Sequence, residues 1–281
     1  MKKLLLVAGT ILLGISSACY AEYTAQNKII KVVIPQPPAS GLGTLYRHIE
    51  AYASKQNIKM IPVFKPGAHS KIGIDYASKE KNDGNTLLFS TVSDYVNVNA
   101  DFDAVAPLTK INMILVASKK SKIKTVNDIV QQEQTNPGKL TWAYMSSAQV
   151  VYIDNFLKVS NIDVNKVYKV PFGANGGSQG LINGDADLTV ISPSALISLK
   201  DHLTVVDIDP ATKQKLSEKD NATGLFLPKN SNKDSAKFWN KFVNDLLNDE
   251  DFKLALKTTN TGTFTNATPG ELENVVNNWK L

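Results

Sequence analysis

The sequence predicts an α/β protein of two lobes, each built on a mainly parallel sheet. Apolar strand-like runs alternate repeatedly with helical patterns, the order that parallel sheets covered on both faces require. The connecting loops are rich in small residues and leave from the carboxyl ends of the strands, where ligands of such sheets bind. A leader-like N-terminus leaves 260 residues without cysteine, enough for one or two hydrophobic cores.

Residues 1–21 combine Lys2-Lys3, an apolar run over 4–15 and the small residues Ser16-Ser17-Ala18 before Cys19-Tyr20-Ala21, the pattern of a secretory signal peptide. The run is too short for a bilayer, which takes about 20 residues. A second reading makes Cys19 the lipidated first residue of a lipoprotein, although Ser16 stands where a leucine-like residue is usual. Cleavage after Ala21 removes two lysines and no acids, lowering the formal charge from +5 to +3. Lysines are dispersed and Arg47 is the only arginine, so no clustered basic stripe marks a nucleic-acid surface.

The chain opens with a strand over 29–34, the break Pro35-Gln36-Pro37-Pro38, and a small-residue loop Ala39-Ser40-Gly41-Leu42-Gly43-Thr44. Leu42, Leu45, Ile49, Tyr52 and Ala53 then recur at helical spacing, so a helix begins there with its first amides at the loop end. Such amides favour an anion, although water on an ordinary strand-to-helix turn satisfies them equally. A second strand at 59–64 leads through Lys65-Pro66-Gly67-Ala68-His69-Ser70 to a helix at 72–81. A third at 86–91 ends in Val92-Ser93-Asp94. After a polar connection at 97–103, a strand at 111–118 passes into the second lobe.

Thr125 with Asp128 marks the next helix start, and Asn136-Pro137-Gly138-Lys139 its end. A strand at 140–144, the polar loop Met145-Ser146-Ser147-Ala148-Gln149 and a helix at 150–160 follow. A strand at 166–172 leads to the glycine-rich segment 173–180, whose amides suit an anion but which lacks the Gly-Lys-Ser/Thr ending of a nucleotide phosphate loop. A buried strand at 186–192 and a helix from Pro193 complete that lobe, and 203–208 returns the chain to the first. Helix starts at Ser231 with Asp234 and at Thr268-Pro269-Gly270-Glu271 begin amphipathic helices whose aromatics, including Trp239 and Trp279, read as core. The expected division is a leader at 1–21, lobe 1 at 22–116 plus 207–281, and lobe 2 at 117–206.

The ordered motifs resemble the Bug family, the extracytoplasmic solute receptors of tripartite tricarboxylate transporters. In the first lobe these are Ile34-Pro35 with the loop and Arg47, Lys65-Pro66-Gly67-Ala68 with Ile72-Gly73, and Asp83-Gly84 with Thr86-Leu87-Leu88. In the second they are Asn136-Pro137-Gly138-Lys139-Leu140 with Ala143, Val170-Pro171-Phe172, and Gly184-Asp185-Ala186-Asp187-Leu188. The resemblance covers roughly residues 29–200. It implies a type II periplasmic binding protein, or Venus-flytrap, fold closing on a small carboxylated solute. It also implies a periplasmic location, membrane permease subunits as partners, a monomer, and neither cofactor nor metal. The chain departs from the family at telling positions. Gly43 replaces a frequent acid, His69-Ser70 replace a pair of glycines, Tyr152 replaces a histidine, and an aspartate usual after the following strand falls at Ile191 or Ser192.

The candidate ligand-binding residues are Pro38, Ala39, Ser40, Gly41, Leu42, Gly43 and Thr44 on the first loop, Ala68, His69 and Ser70 on the second, and Thr91 and Ser93 on the third. From the second lobe come Ser146, Ser147, Gln149, Asn175, Gly176, Gly177 and Ser192. Ser and Asn also serve ordinary turns. His69 is a candidate donor to a carboxylate or a solvated surface histidine. His48 and His202 read as structural or exposed, and Arg47 as the partner of Glu50 or another carboxylate. Micromolar affinity takes about 8 kcal/mol, and two helix N-termini supply about 2 each at best, so the site must draw hydrogen bonds from both lobes. Enzyme signatures are lacking: there is no Gly-x-Ser-x-Gly, no His-Glu-x-x-His, and only an isolated Ser78-x-x-Lys81. A periplasmic hydrolase and a sensor-only receptor stand as alternatives to a transport receptor.

Overall fold

The computed structural model describes residues 23–145, 147–172, 177–217, 221–258 and 261–280. The leader, Cys19 and the expected site residues Ser146, Asn175 and Gly176 lie outside the described residues. The first sheet contains β1 (Ile29–Ile34), β2 (Lys59–Phe64), β3 (Thr86–Thr91) and β4 (Phe102–Ile111). Between these strands lie α1 (Gly41–Lys55), α2 (Lys71–Ala77) and α3 (Val92–Val98). The second sheet holds β5 (Ile114–Ser118), β6 (Thr141–Tyr144), β7 (Tyr168–Pro171), β8 (Leu188–Ile191) and β9 (Leu203–Val205). Helices α4 (Val126–Thr135), α5 (Ser147–Val159), α6 (Gly177–Asn183) and α7 (Pro193–Leu199) alternate with these strands. After α8 (Pro210–Ser217) the chain returns as β10 (Asn221–Pro228), α9 (Lys233–Asn248), α10 (Glu250–Thr258), β11 (Gly262–Thr263) and α11 (Pro269–Trp279).

The sheets are mixed, and this corrects the expectation of mainly parallel ones. The first runs β11-β4-β10-β3-β1-β2 and the second β7-β6-β8-β5-β9. Across both, four strand pairings are parallel and five antiparallel. The cause is the way the chain changes sheets. β4 leaves the first sheet at its carboxyl end and, after Asn112-Met113, continues as β5, which enters the second sheet against the direction of β8. β10 returns in the same manner and inserts between β3 and β4, antiparallel to both. Each sheet is therefore a parallel set invaded by one reversed crossing strand, and the short β11 adds one more antiparallel edge.

Local chemistry fixes the elements. Thr125 and Asp128 form a reciprocal capping box at α4, with the Asp128 carboxyl accepting from the Lys124 and Thr125 amides. Those amides hold its pKa below the ordinary aspartate value. The sign follows: this carboxylate supports folding above its unfolded pKa, and that support is lost as pH falls through the lowered native value. Asn232, rather than Ser231, caps α9 by accepting from the Asp234 amide. The aromatics of α9 are core, as their spacing indicates. Trp239 is fully buried, its indole donates to the Gly84 carbonyl at 2.8 Å, and its ring meets Phe238 and Phe242 edge-on. Thr268 caps α11 with Pro269 at its first turn, and Leu272, Val276 and Trp279 are buried.

Candidate functional site

The carboxyl ends of β1, β3, β4 and β8 and the start of β10 meet around a cavity of about 450 Å³. From the first loop it is lined by Ala39, Gly41, Leu42 and Thr44, and from the body of α1 by Leu45 and His48. Thr91, Thr109, Lys110, Ile111 and Thr223 come from β3, β4 and β10. Ser192 and Pro193 face in from the second sheet, and Ala255 and Leu256 from α10.

Sequence explains how each wall is held. Ser40 is the N-cap of α1, its hydroxyl accepting from the Gly43 amide at 3.1 Å while its carbonyl takes the Thr44 amide. Among the described residues no acceptor is bonded to the Gly41 or Leu42 amide, so two donors remain at the positive end of a 15-residue helix. Gly43 has no room for a side chain, because a Cβ there would lie 2.2 Å from the Pro38 carbonyl oxygen. Arg47 donates to that same carbonyl at 3.3 Å and to the Thr44 hydroxyl at 3.0 Å, bracing the loop instead of pairing with Glu50. Gln36 donates to Asp94 at 2.8 Å and so ties the loop after β1 to α3.

Thr91 caps α3, and its hydroxyl lies 3.0 Å from that of Ser93. Ser93 is buried and takes a hydrogen bond at 2.8 Å from the amide side chain of Asn221, whose oxygen accepts from the Ser93 backbone at 3.1 Å. The Thr109 and Thr223 hydroxyls sit 2.9 Å apart across the β4–β10 ladder. At the junction of the two sheets Tyr152, on α5, donates to the Ile111 carbonyl at 2.7 Å and accepts from the Asn221 amide at 2.6 Å. One hydroxyl thus joins both crossing strands where they leave the first sheet.

Of the residues the sequence singled out, Ala39, Gly41, Leu42, Thr44, Thr91 and Ser192 line the cavity. Pro38, Ser40 and Gly43 stand behind it as the frame of the first loop, and Ser93 as part of the buried network with Asn221. Gln149 is also buried, with its carbonyl oxygen accepting from the Met145 amide and its nitrogen donating to the Val190 carbonyl, so it braces the second sheet. Ser147 and Gly177 open α5 and α6. His48 is exposed, as its sequence reading allowed, and it also lines the cavity. It follows Thr44 by four residues and Gly41 by seven, a helical spacing that puts all three on one face. Thr109, Lys110 and Thr223 were missed because the strands bearing them were not recognised.

Ala68, His69 and Ser70 lie apart from that lining, on a turn with φ of 46°, 50° and 72°, following Gly67 at 128°. Three consecutive non-glycine residues in the left-handed region are costly, about 1–2 kcal/mol each. His69 and Ser70 stand where the resembled family carries glycines, and the backbone here has the conformation glycine adopts freely. Glycine's larger entropy in the unfolded chain offsets part of the relief. His69→Gly is therefore expected to stabilise the fold by roughly 0.5–1 kcal/mol, seen as a higher urea midpoint at unchanged slope. An unchanged or lower midpoint would show that the His69 side chain repays its strain with contacts.

Two mixed α/β sheets linked by crossing strands, with a cavity between their facing ends, define a two-lobed periplasmic-binding fold. A model described as the tripartite tricarboxylate transporter family receptor matches residues 47–200, and the chain belongs to that family. A UPF0065 protein encoded in the tcbD-tcbE intergenic region of a Pseudomonas species is 22% identical over 201 residues, covering 65% of this chain and 60% of the relative. The match thus spans less than two thirds of that relative's length. Among solved structures, the periplasmic binding protein BugD superposes with a TM-score of 0.72 at 14% identity, covering 92% of this chain and 96% of that one. MatC of Rhodopseudomonas palustris with bound malate gives 0.69 at 18% identity, covering 90% and 97%. At these identities the likeness is one of fold.

Proposed function

We propose that this chain is a periplasmic solute receptor that captures a small organic anion between its lobes and delivers it to a membrane permease of the tripartite tricarboxylate type. The observation that carries the reading is the composition of the cavity between the sheets. Two unbonded amides at the α1 N-terminus, the side chains of His48 and Lys110, and the hydroxyls of Thr44, Thr91, Thr109 and Ser192 surround it. No carboxylate side chain is among its described lining residues, so it suits an anion better than an ammonium group. MatC, a protein of the same fold, was solved with malate, a dicarboxylate. Ser146, Ser147, Asn175, Gly176 and Gly177 are proposed to complete the site from the second lobe. We take the lobes to divide near the limits the sequence suggests, bending at Asn112-Met113 and again before β10. The family is one of receptors, and the isolated Ser78 supports no hydrolase, since its hydroxyl is engaged with the Asp75 carbonyl.

Thermal denaturation of the mature chain against carboxylates, amino acids and phosphorylated solutes tests this. At a hundredfold excess over Kd, a true ligand adds about 2.7 kcal/mol and raises the midpoint by roughly 5–10 °C. The expected result is a rise confined to short carboxylates. No shift with any anion, together with turnover of an ester or lactam, would overturn the receptor reading.

A further inference from the structure

A second cavity, of about 980 Å³, is lined by both segments that link the sheets, 112–115 and 205–208. It shares Asn112, Pro193, Leu256 and Thr261 with the first, so the two adjoin. Its apolar surface comes from Met113, Leu115, Ile208, Leu216 and Leu256. Lys213 on α8 and Lys253 and Lys257 on α10 add three cations, against the single carboxylate of Asp207. Lys253 is held by Glu250 at 2.9 Å. Among the described residues neither Lys213 nor Lys257 has a carboxylate within 4.0 Å. Cations that line an apolar surface attract an anion that also covers that surface.

We propose that this cavity is a second binding site, for an amphipathic monocarboxylate whose acid group meets Lys213 and Lys257 and whose apolar body lies on Met113, Leu216 and Leu256. The site itself stands apart from the cleft reading, and only its coupling to closure rests on that reading. Its walls come from both sides of the crossing, with α10 and β11 belonging to the first sheet's lobe and β5 and α8 following the crossing. An occupant therefore holds the two lobes in one relation, and its binding is coupled to closure of the cleft.

Calorimetric titration of the mature chain with decanoate, below its micelle-forming concentration, tests the proposal. The expected result is saturable binding of one decanoate per chain, at least fivefold weaker in the double variant Lys213→Gln/Lys257→Gln and unaltered in Lys110→Ala. Decanol, which keeps the chain length and lacks the charge, is expected to bind at least fivefold more weakly than decanoate. Leu216→Glu, which sets a carboxylate on the apolar wall, is expected to weaken decanoate binding at least fivefold, with circular dichroism confirming that each variant is folded. Absence of decanoate binding, equal affinity for decanol, or loss of binding in Lys110→Ala with retention in the lysine double variant would each overturn the second site. Short carboxylates that bind the cleft are expected not to displace decanoate competitively, and competitive displacement would equally overturn it.

Discussion

Tyr152→Phe is expected to destabilise the fold by about 2–3 kcal/mol, because a single hydroxyl serves two backbone groups at the crossing. It donates to Ile111 at 2.7 Å and accepts from Asn221 at 2.6 Å, and both Tyr152 and Asn221 are buried. Phenylalanine keeps the ring, which meets Trp279 edge-on at 5.8 Å, so the packing contribution survives and the lost hydrogen bonds dominate. A buried N–H left without its acceptor costs about 1–3 kcal/mol, and the Ile111 carbonyl adds a smaller term. The urea midpoint should fall at unchanged slope. A loss below about 0.5 kcal/mol would mean that water or the β4–β10 ladder takes over both groups.

Gly43→Asp is expected to cost about 1–4 kcal/mol of stability and to weaken anion binding at least tenfold. Two effects oppose one another there. A carboxylate in the first turn of α1 would gain about 0.3–1 kcal/mol from the helix dipole. Its Cβ, however, would sit 2.2 Å from the Pro38 carbonyl oxygen, an atom of the backbone that cannot move without the loop. Overpacking of this kind costs about 1–3 kcal/mol, and displacing the loop also breaks the Ser40 cap, worth about 1 kcal/mol more. Sterics should win. Gly43→Ala, which carries the clash without the dipole gain, should lose at least as much stability, read from thermal unfolding. Wild-type stability in that variant would show that the loop yields easily.

These results bear on what the sequence could reveal. From β1 to β3 and from β5 to α7 the order of strand, loop and helix was legible because each depends on local periodicity and caps, as at Thr125, and the cap at Thr268 marked α11. Strand direction was not, since it depends on where a crossing strand enters the other sheet. β4 was hidden further by Pro107, which lacks the N–H that a ladder uses and sits opposite Gly224 at a register shift. Losing β4 and β10 from the reading also lost Thr109, Lys110 and Thr223 from the cavity wall. Gln149 fails differently. Its residue type and loop position suit a ligand, but only the folded chain shows both ends of its amide spent on Met145 and Val190. His48 was recoverable by helical arithmetic from Gly41 and Thr44, had the cavity been known to extend along α1.

The central claim is that the cavity between the sheets takes up a small organic anion using the Lys110 ammonium, the His48 imidazole and the amides around it. Calorimetric titration of the mature chain with a series of short dicarboxylates, malate among them, tests it most directly when repeated on Lys110→Ala and His48→Ala. The account predicts saturable binding of at least one member, one per chain, weakened about tenfold in each variant, which corresponds to about 1.4 kcal/mol for a charge-assisted hydrogen bond at a partly open site. No saturable heat from any member, or wild-type affinity in both variants, would contradict it.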